Sequence, residues 1–131
     1  MNWREFLAVA RRLAAGTTQA DWRSSVSRAY YAAFHVGRQF LRDLGFAIPR
    51  GDQAHAYVSL RLRNSGDGPV TQAGRKLDDL RRDRNGADYD ALPPFLRLQA
   101  LQGIRDADEV IRLLDAFPFA GRGALTSAIR R

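Results

Sequence analysis

The chain has no cysteine among its 131 residues and only two histidines, at positions 35 and 55. The first absence excludes disulfides, thiolate zinc sites, iron–sulfur clusters and cysteine nucleophiles together. The second leaves His35 and His55 as the only imidazoles for metal or acid/base work, too far apart in sequence to read as a metal pair, so no metal or other cofactor is expected. The GxSxG, P-loop, GxGxxG, HExxH and CxxC signatures are all missing. No apolar stretch is long enough to cross a bilayer, and the opening MNWREFLAVARRL is amphipathic rather than basic-then-apolar. A soluble, cytoplasmic protein without a membrane partner is the expectation. Lysine is almost absent as well: 20 of the 21 basic residues are arginine, which against 14 acidic residues gives a net charge of +7. Guanidinium forks bind phosphate bidentately and release its counterions, so the surplus favours a polyanion such as RNA, DNA or an acidic protein. A GC-rich coding sequence with arginines on solvated faces accounts for the same numbers, and charge alone does not choose.

What is present reads as one all-α domain. Trp3, Phe6, Leu7, Ala10, Leu13 and Ala14 share a helical face, predicting a first helix over 2–15 that Gly16 ends. Thr18 or Asp21 can cap a long second helix striped by Val26, Tyr30, Ala33, Gly37, Leu41 and Leu44. Asp52 can cap a short third, with Ala56 and Leu60, and also Val58 and Leu62, as its apolar positions. Pro69 opens a fourth carrying Val70, Ala73, Leu77 and Leu80, which Asn85 and Gly86 end. Pro93 and Pro94 open a fifth, striped by Leu98, Leu101, Ile104, Ala107, Ile111 and Leu114 and closed by Pro118. No alternating run supplies a sheet. The expectation is an antiparallel up-and-down bundle of four to five helices over 1–118, followed by a basic tail over 119–131 that is mobile rather than a short added helix.

Two constellations invite chemistry. On the second helix, Arg28, Tyr31, His35, Arg38 and Arg42 fall on one arc opposite the apolar stripe, an arrangement that can grip phosphate while a ring stacks on a base. It equally describes a solvated face or a protomer interface. On the fourth helix the stripe of Ala73, Leu77 and Leu80 continues at its spacing to Arg84, placing a guanidinium on the inward side where a carboxylate such as Asp88 or Asp90, or a phosphate, can meet it. Asp78, Asp79 and Asp83 lie beside arginines at helical spacing and read as surface pairs.

RSSVSRAYYAAFHVGRQFL (23–41) resembles the long second helix of HEPN (higher eukaryotes and prokaryotes nucleotide-binding) domains. LDDLRRDRNGADYD (77–90) resembles that family's arginine-bearing helix end and its A-D-Y turn, and His55 fits a histidine frequent after the intervening loop. The resemblance spans about 2–117. It implies a helical bundle, a homodimer, and a nucleotidyltransferase-type partner protein in a toxin–antitoxin or related defence module. Active members are metal-independent ribonucleases whose motif is arginine, four to six residues, then histidine, with the sites of two protomers meeting in a cleft. By position the arginine corresponds to Arg84 and the polar residue after it to Asn85, whereas Tyr89 holds the place of the histidine, flanked by Asp88 and Asp90. An imidazole reaches Arg84 only if the fold carries His35 or His55 there. The first reading is therefore a nucleotide- or RNA-binding domain using Arg84, Asn85, Asp88 and Tyr89, with Arg28, Tyr31 and His35 nearby if the face of the second helix, which also carries Arg38 and Arg42, lines the same cleft. The alternatives are an active ribonuclease toxin and a non-catalytic protein-interaction module.

Overall fold

In the computed structural model, which describes residues 2–130, the described residues form six α-helices and no strand. They are α1 (Glu5–Ala14), α2 (Gln19–Asp43), α3 (Gln53–Arg63), α4 (Gly68–Tyr89), α5 (Arg97–Asp115) and, after a short 3-10 turn, α6 (Arg122–Arg130). The long α2 is the centre of the bundle, packing on α5, α1 and α4, while α3 lies chiefly against α4. Both candidate caps of α2 act together: Thr18 Oγ1 accepts from the Asp21 N–H at 3.1 Å, and Asp21 Oδ2 accepts from the Thr18 N–H at 3.3 Å. The α2 stripe from Val26 to Leu44 is buried throughout, as are Val70, Ala73, Leu77 and Leu80 of α4. Fully burying side chains such as Leu41, Leu77 and Leu80 contributes roughly 1.5–3 kcal/mol each. The α3–α4 crossing is tight at one point: a Cβ on Gly74 would stand 2.7 Å from the Arg63 backbone nitrogen.

Several elements differ from expectation. α1 begins at Glu5, because Asn2 Oδ1 and the Asn2 carbonyl take the Arg4 and Glu5 N–H groups in a turn. α3 buries Ala54, Val58 and Leu62, leaving Ala56 and Leu60 exposed, and Asp52 makes no side-chain cap. α4 does not stop at Asn85 and Gly86 but runs through them to Tyr89. Gly86 costs about 1 kcal/mol of helix propensity, yet the buried Ala87 anchors the extra turn and the Arg23 guanidinium clasps its end. One arm of Arg23 donates to the carbonyls of Gly86 (3.2 Å), Ala87 (3.0 Å) and Asp90 (2.5 Å), the other to Ala91 and Pro93. α5 opens at Arg97 rather than at the prolines, since the chain first turns inward to bury Phe95, whose N–H donates to Gln19 Oε1 at 2.9 Å. Leu98 and Leu101 are exposed instead of lining the core. Within the expected tail, residues 122–130 form the short helix α6, which buries Leu125 and Ile129 and sets Arg130 over Phe46.

Candidate functional site

Where α2 and α4 lie side by side, Arg84 reaches across to α2. Its side chain is only 11% exposed, its guanidinium carbon sits 5.2 Å from the Tyr30 ring centre and 5.6 Å from that of Tyr31, and its Nη1 faces Asp88 Oδ2 at 3.7 Å. The buried Nε has no hydrogen-bond partner. Two aromatic faces and one long ion pair therefore hold the guanidinium while most of its donors stay unspent. Ser27 Oγ donates to the same Asp88 oxygen at 3.4 Å, tying the end of α4 back to α2.

The first turn of α3 adds His55. Its Nδ1 lies 2.5 Å from the Tyr30 hydroxyl, and its ring stacks on Phe34 with centres 4.4 Å apart. Burial, then the neighbouring Arg84 and Arg81 charges, depress its pKa, with Asp52 pulling weakly the other way. The same burial, with little relief from Arg81 and Arg84, raises that of Tyr30 far above the usual phenol value. Both shifts favour the neutral forms, and when the fully buried Tyr30 hydroxyl gives its one proton to Nδ1 the His55 proton stays on Nε2. Phosphate oxygen is a suitable acceptor for that remaining N–H.

The expected α2 arc is partly covered. Trp3 stacks on His35 at 3.7 Å, Arg38 lies over Trp3 at 5.7 Å and Arg28 over Phe6 at 5.7 Å. His35 is pushed down to about 4 by burial and then by Arg38, His55 and Arg42, and its buried Nδ1 has no partner. The arc is thus a half-covered basic and aromatic surface rather than a fully solvated one. Among the described residues, Arg28, Arg38, Arg42 and Arg81 have no carboxylate at ion-pairing distance, whereas Arg4, Arg11, Arg82 and Arg112 do. Positive charge exceeds negative around Tyr30 and His55, where Arg81 and Arg84 act against Asp52 and Asp78.

The structure thus gathers Arg84, Asp88 and Tyr31 and brings His55 beside them through Tyr30. It does not gather Asn85 and Tyr89. Because α4 continues, these two lie on a neighbouring helical face turned about 100° from that of Arg84 and Asp88, both exposed, Tyr89 at 76%. Tyr89 is the last residue of the helix and not part of a turn after it. Sequence reasoning missed Tyr30 as a polar partner, since its place in the stripe marks it as core, and missed Trp3, which only tertiary packing brings to His35. Arg81 was within reach, one helical turn before Arg84. Among the described residues no group of three potential ligands converges as a metal site, and no helix is long and apolar enough to cross a membrane.

The site is thus an arginine buried against two aromatic rings at the junction of two long helices of an all-helical domain, next to an imidazole whose pKa is lowered, and a guanidinium with unspent donors can bind phosphate. The family model of the HEPN domain matches residues 4–117, most of the chain. The chain belongs to the HEPN domain family, and at that level it is a nucleotide- or RNA-related module. No curated protein and no solved structure matches it.

Proposed function

We propose that the chain is a homodimeric nucleotide- or RNA-binding domain that holds phosphate at Arg84 without cutting the strand, and that it works with a nucleotidyltransferase-type protein in a toxin–antitoxin or related defence module. The observation that carries the reading is the Arg84 guanidinium, buried against Tyr30 and Tyr31 with an unpartnered Nε and one long ion pair to Asp88. Arg84 and Tyr31 form the centre, with Asp88 orienting the guanidinium. Arg28, His35, Arg38 and Arg42 extend the basic and aromatic surface along α2, and Asn85 stays on the neighbouring exposed face of α4. Binding is favoured over cleavage by the His55 tautomer. With Nδ1 accepting from Tyr30, the ring offers an N–H and no free lone pair, so it can neutralise a phosphate but cannot take the proton of an attacking 2′-hydroxyl. Tyr89 presents an exposed hydroxyl able to accept a nucleotidyl group from a partner enzyme. Dimerisation is supported by Leu92, Leu96, Leu98 and Leu101, all exposed around the start of α5.

The second reading, an active metal-independent ribonuclease, is favoured by one observation, the nearness of His55 to Arg84. Incubating the purified protein with labelled tRNA and mRNA in EDTA separates the two: intact RNA is expected, and cleavage supports the ribonuclease. Mass spectrometry after incubation with the product of a neighbouring nucleotidyltransferase gene and a nucleoside triphosphate is expected to find the modification on wild-type protein and not on Tyr89→Phe.

A further inference from the structure

We infer that the corner between the C-terminal half of α2 and the α2–α3 connection is a second phosphate subsite, so that the ligand of the Arg84 site is a single nucleic-acid strand with consecutive phosphates and not a mononucleotide. The inference rests on the reading of Arg84 as a phosphate site. A cavity of about 480 Å³ opens there, with Arg38 and Arg42 from α2, Arg50 from the connection and His55 from α3 on its lining, and with Phe34 and Phe46 as aromatic walls. No carboxylate lines it. None of the three arginines has an ion-pair partner among the described residues. The cavity of about 430 Å³ beside Trp3 is different, since Asp43 and Asp115 stand on its lining and oppose an anion.

The corner is built to hold charge. Arg38 is depressed by burial and by the like charge of Arg42, the mark of cations held together without a counterion. An entering phosphate relieves that repulsion and gains forked hydrogen bonds. The apolar floor of the corner is fixed: Phe46, with the guanidinium carbons of Arg61 and Arg130 at 5.8 and 5.3 Å from its ring centre, and Phe34, stacked on His55, are both buried.

His55 joins the corner to Arg84. It lines the cavity and is bonded to Tyr30, the Tyr30 and His55 ring centres are 5.6 Å apart, and the Arg84 guanidinium lies 5.2 Å from the Tyr30 ring. A strand with one phosphate at Arg84 runs past His55 and sets a further phosphate among Arg38, Arg42 and Arg50. A mononucleotide fills only the first position.

The test uses full-length protein, fluorescently labelled hexauridylate, UMP and inorganic phosphate at low salt. Arg50 is exposed on the connection, away from the core, so its variants are expected to melt like the wild type. Arg50→Ala is expected to weaken hexauridylate binding about threefold to tenfold, and Arg50→Glu further. Both should leave UMP affinity unchanged, while Arg84→Ala weakens both probes. If both Arg50 variants bind hexauridylate as the wild type does while Arg84→Ala loses it, the second subsite is overturned and the Arg84 site stands. If Arg84→Ala keeps its affinity for both probes, the underlying reading fails instead. Displacement of hexauridylate by inorganic phosphate as effectively as by unlabelled hexamer would make the corner a site for free anions and overturn the strand.

Discussion

The Tyr30 hydroxyl and Nδ1 of His55 share a hydrogen bond across 2.5 Å, joining the middle of α2 to the first turn of α3 beside Arg84. A buried hydroxyl must place its proton, and placing it on this nitrogen fixes the tautomer of the one imidazole that comes near the family's arginine. The same bond locks the His55 ring in the column formed by Arg84, Tyr30, His55 and Phe34. The proposed binding without cleavage rests on this pair more than on the absence of histidine at position 89.

Burial lowers the pKa of both imidazoles, and His35 is expected to stay neutral down to about pH 4. A histidine whose pKa is lowered by folding contributes stability that is complete above its unfolded pKa of about 6.5 and is lost as pH falls toward the folded value. Between pH 6.5 and 4.5 the wild type should therefore lose more melting temperature than His35→Phe, which keeps a ring on Trp3 and removes the titration. With only two histidines, NMR titration of the ring carbon-bound protons reads each directly. A His35 titrating near 6.5, or equal melting losses in both proteins, contradicts the burial argument.

Arg23 is expected to hold the last turn of α4. Arg23→Ala frees the carbonyls that the guanidinium clasps and should cost about 1–3 kcal/mol. Amide exchange should rise at Asp88, Tyr89 and Asp90 while the middle of α4 stays protected. Arg23→Lys, with fewer donors in no fork, should recover only part of the loss. Unchanged exchange at those three amides would show that the turn persists by itself.

This clasp also explains what the sequence left illegible. The stripes of α2 and α4 are readable at helical spacing, and Arg84 is readable as their inward continuation because position 84 lies four residues beyond Leu80. The end of α4 is not, since Asn85–Gly86 is a sound local stop signal that a residue on another helix overrides. The phase of α3 is ambiguous because Ala54, Val58 and Leu62 compete with Ala56 and Leu60, and only the packing of α3 on α4 decides. The tail reads as mobile because its apolar residues, Leu125 and Ile129, are few, and their burial needs a surface supplied by the bundle. His55 is visible as a residue, but its bond to Tyr30 spans 25 positions and belongs to the tertiary structure alone.

In solution the protein is expected to be a dimer. Light scattering at micromolar concentration should give twice the chain mass, and Leu98→Glu combined with Leu101→Glu should give the monomer with little change in helicity, because both leucines are exposed. A wild-type monomer removes the shared-cleft arrangement. A variant that remains dimeric moves the interface away from the start of α5.

The central claim is that Arg84 is a phosphate-binding residue in a site that does not cut. Its most direct test is the affinity of Arg84→Ala for a short labelled RNA, measured with its melting temperature and with RNA integrity in EDTA. The loss of two cation–aromatic contacts should lower stability by about 0.5–2 kcal/mol, leaving a folded protein at room temperature. Affinity should fall at least about tenfold, equivalent to 1.4 kcal/mol, and the RNA should stay intact with wild type and variant alike. A folded Arg84→Ala that binds RNA as tightly as the wild type, or a wild type that cleaves it, contradicts the account.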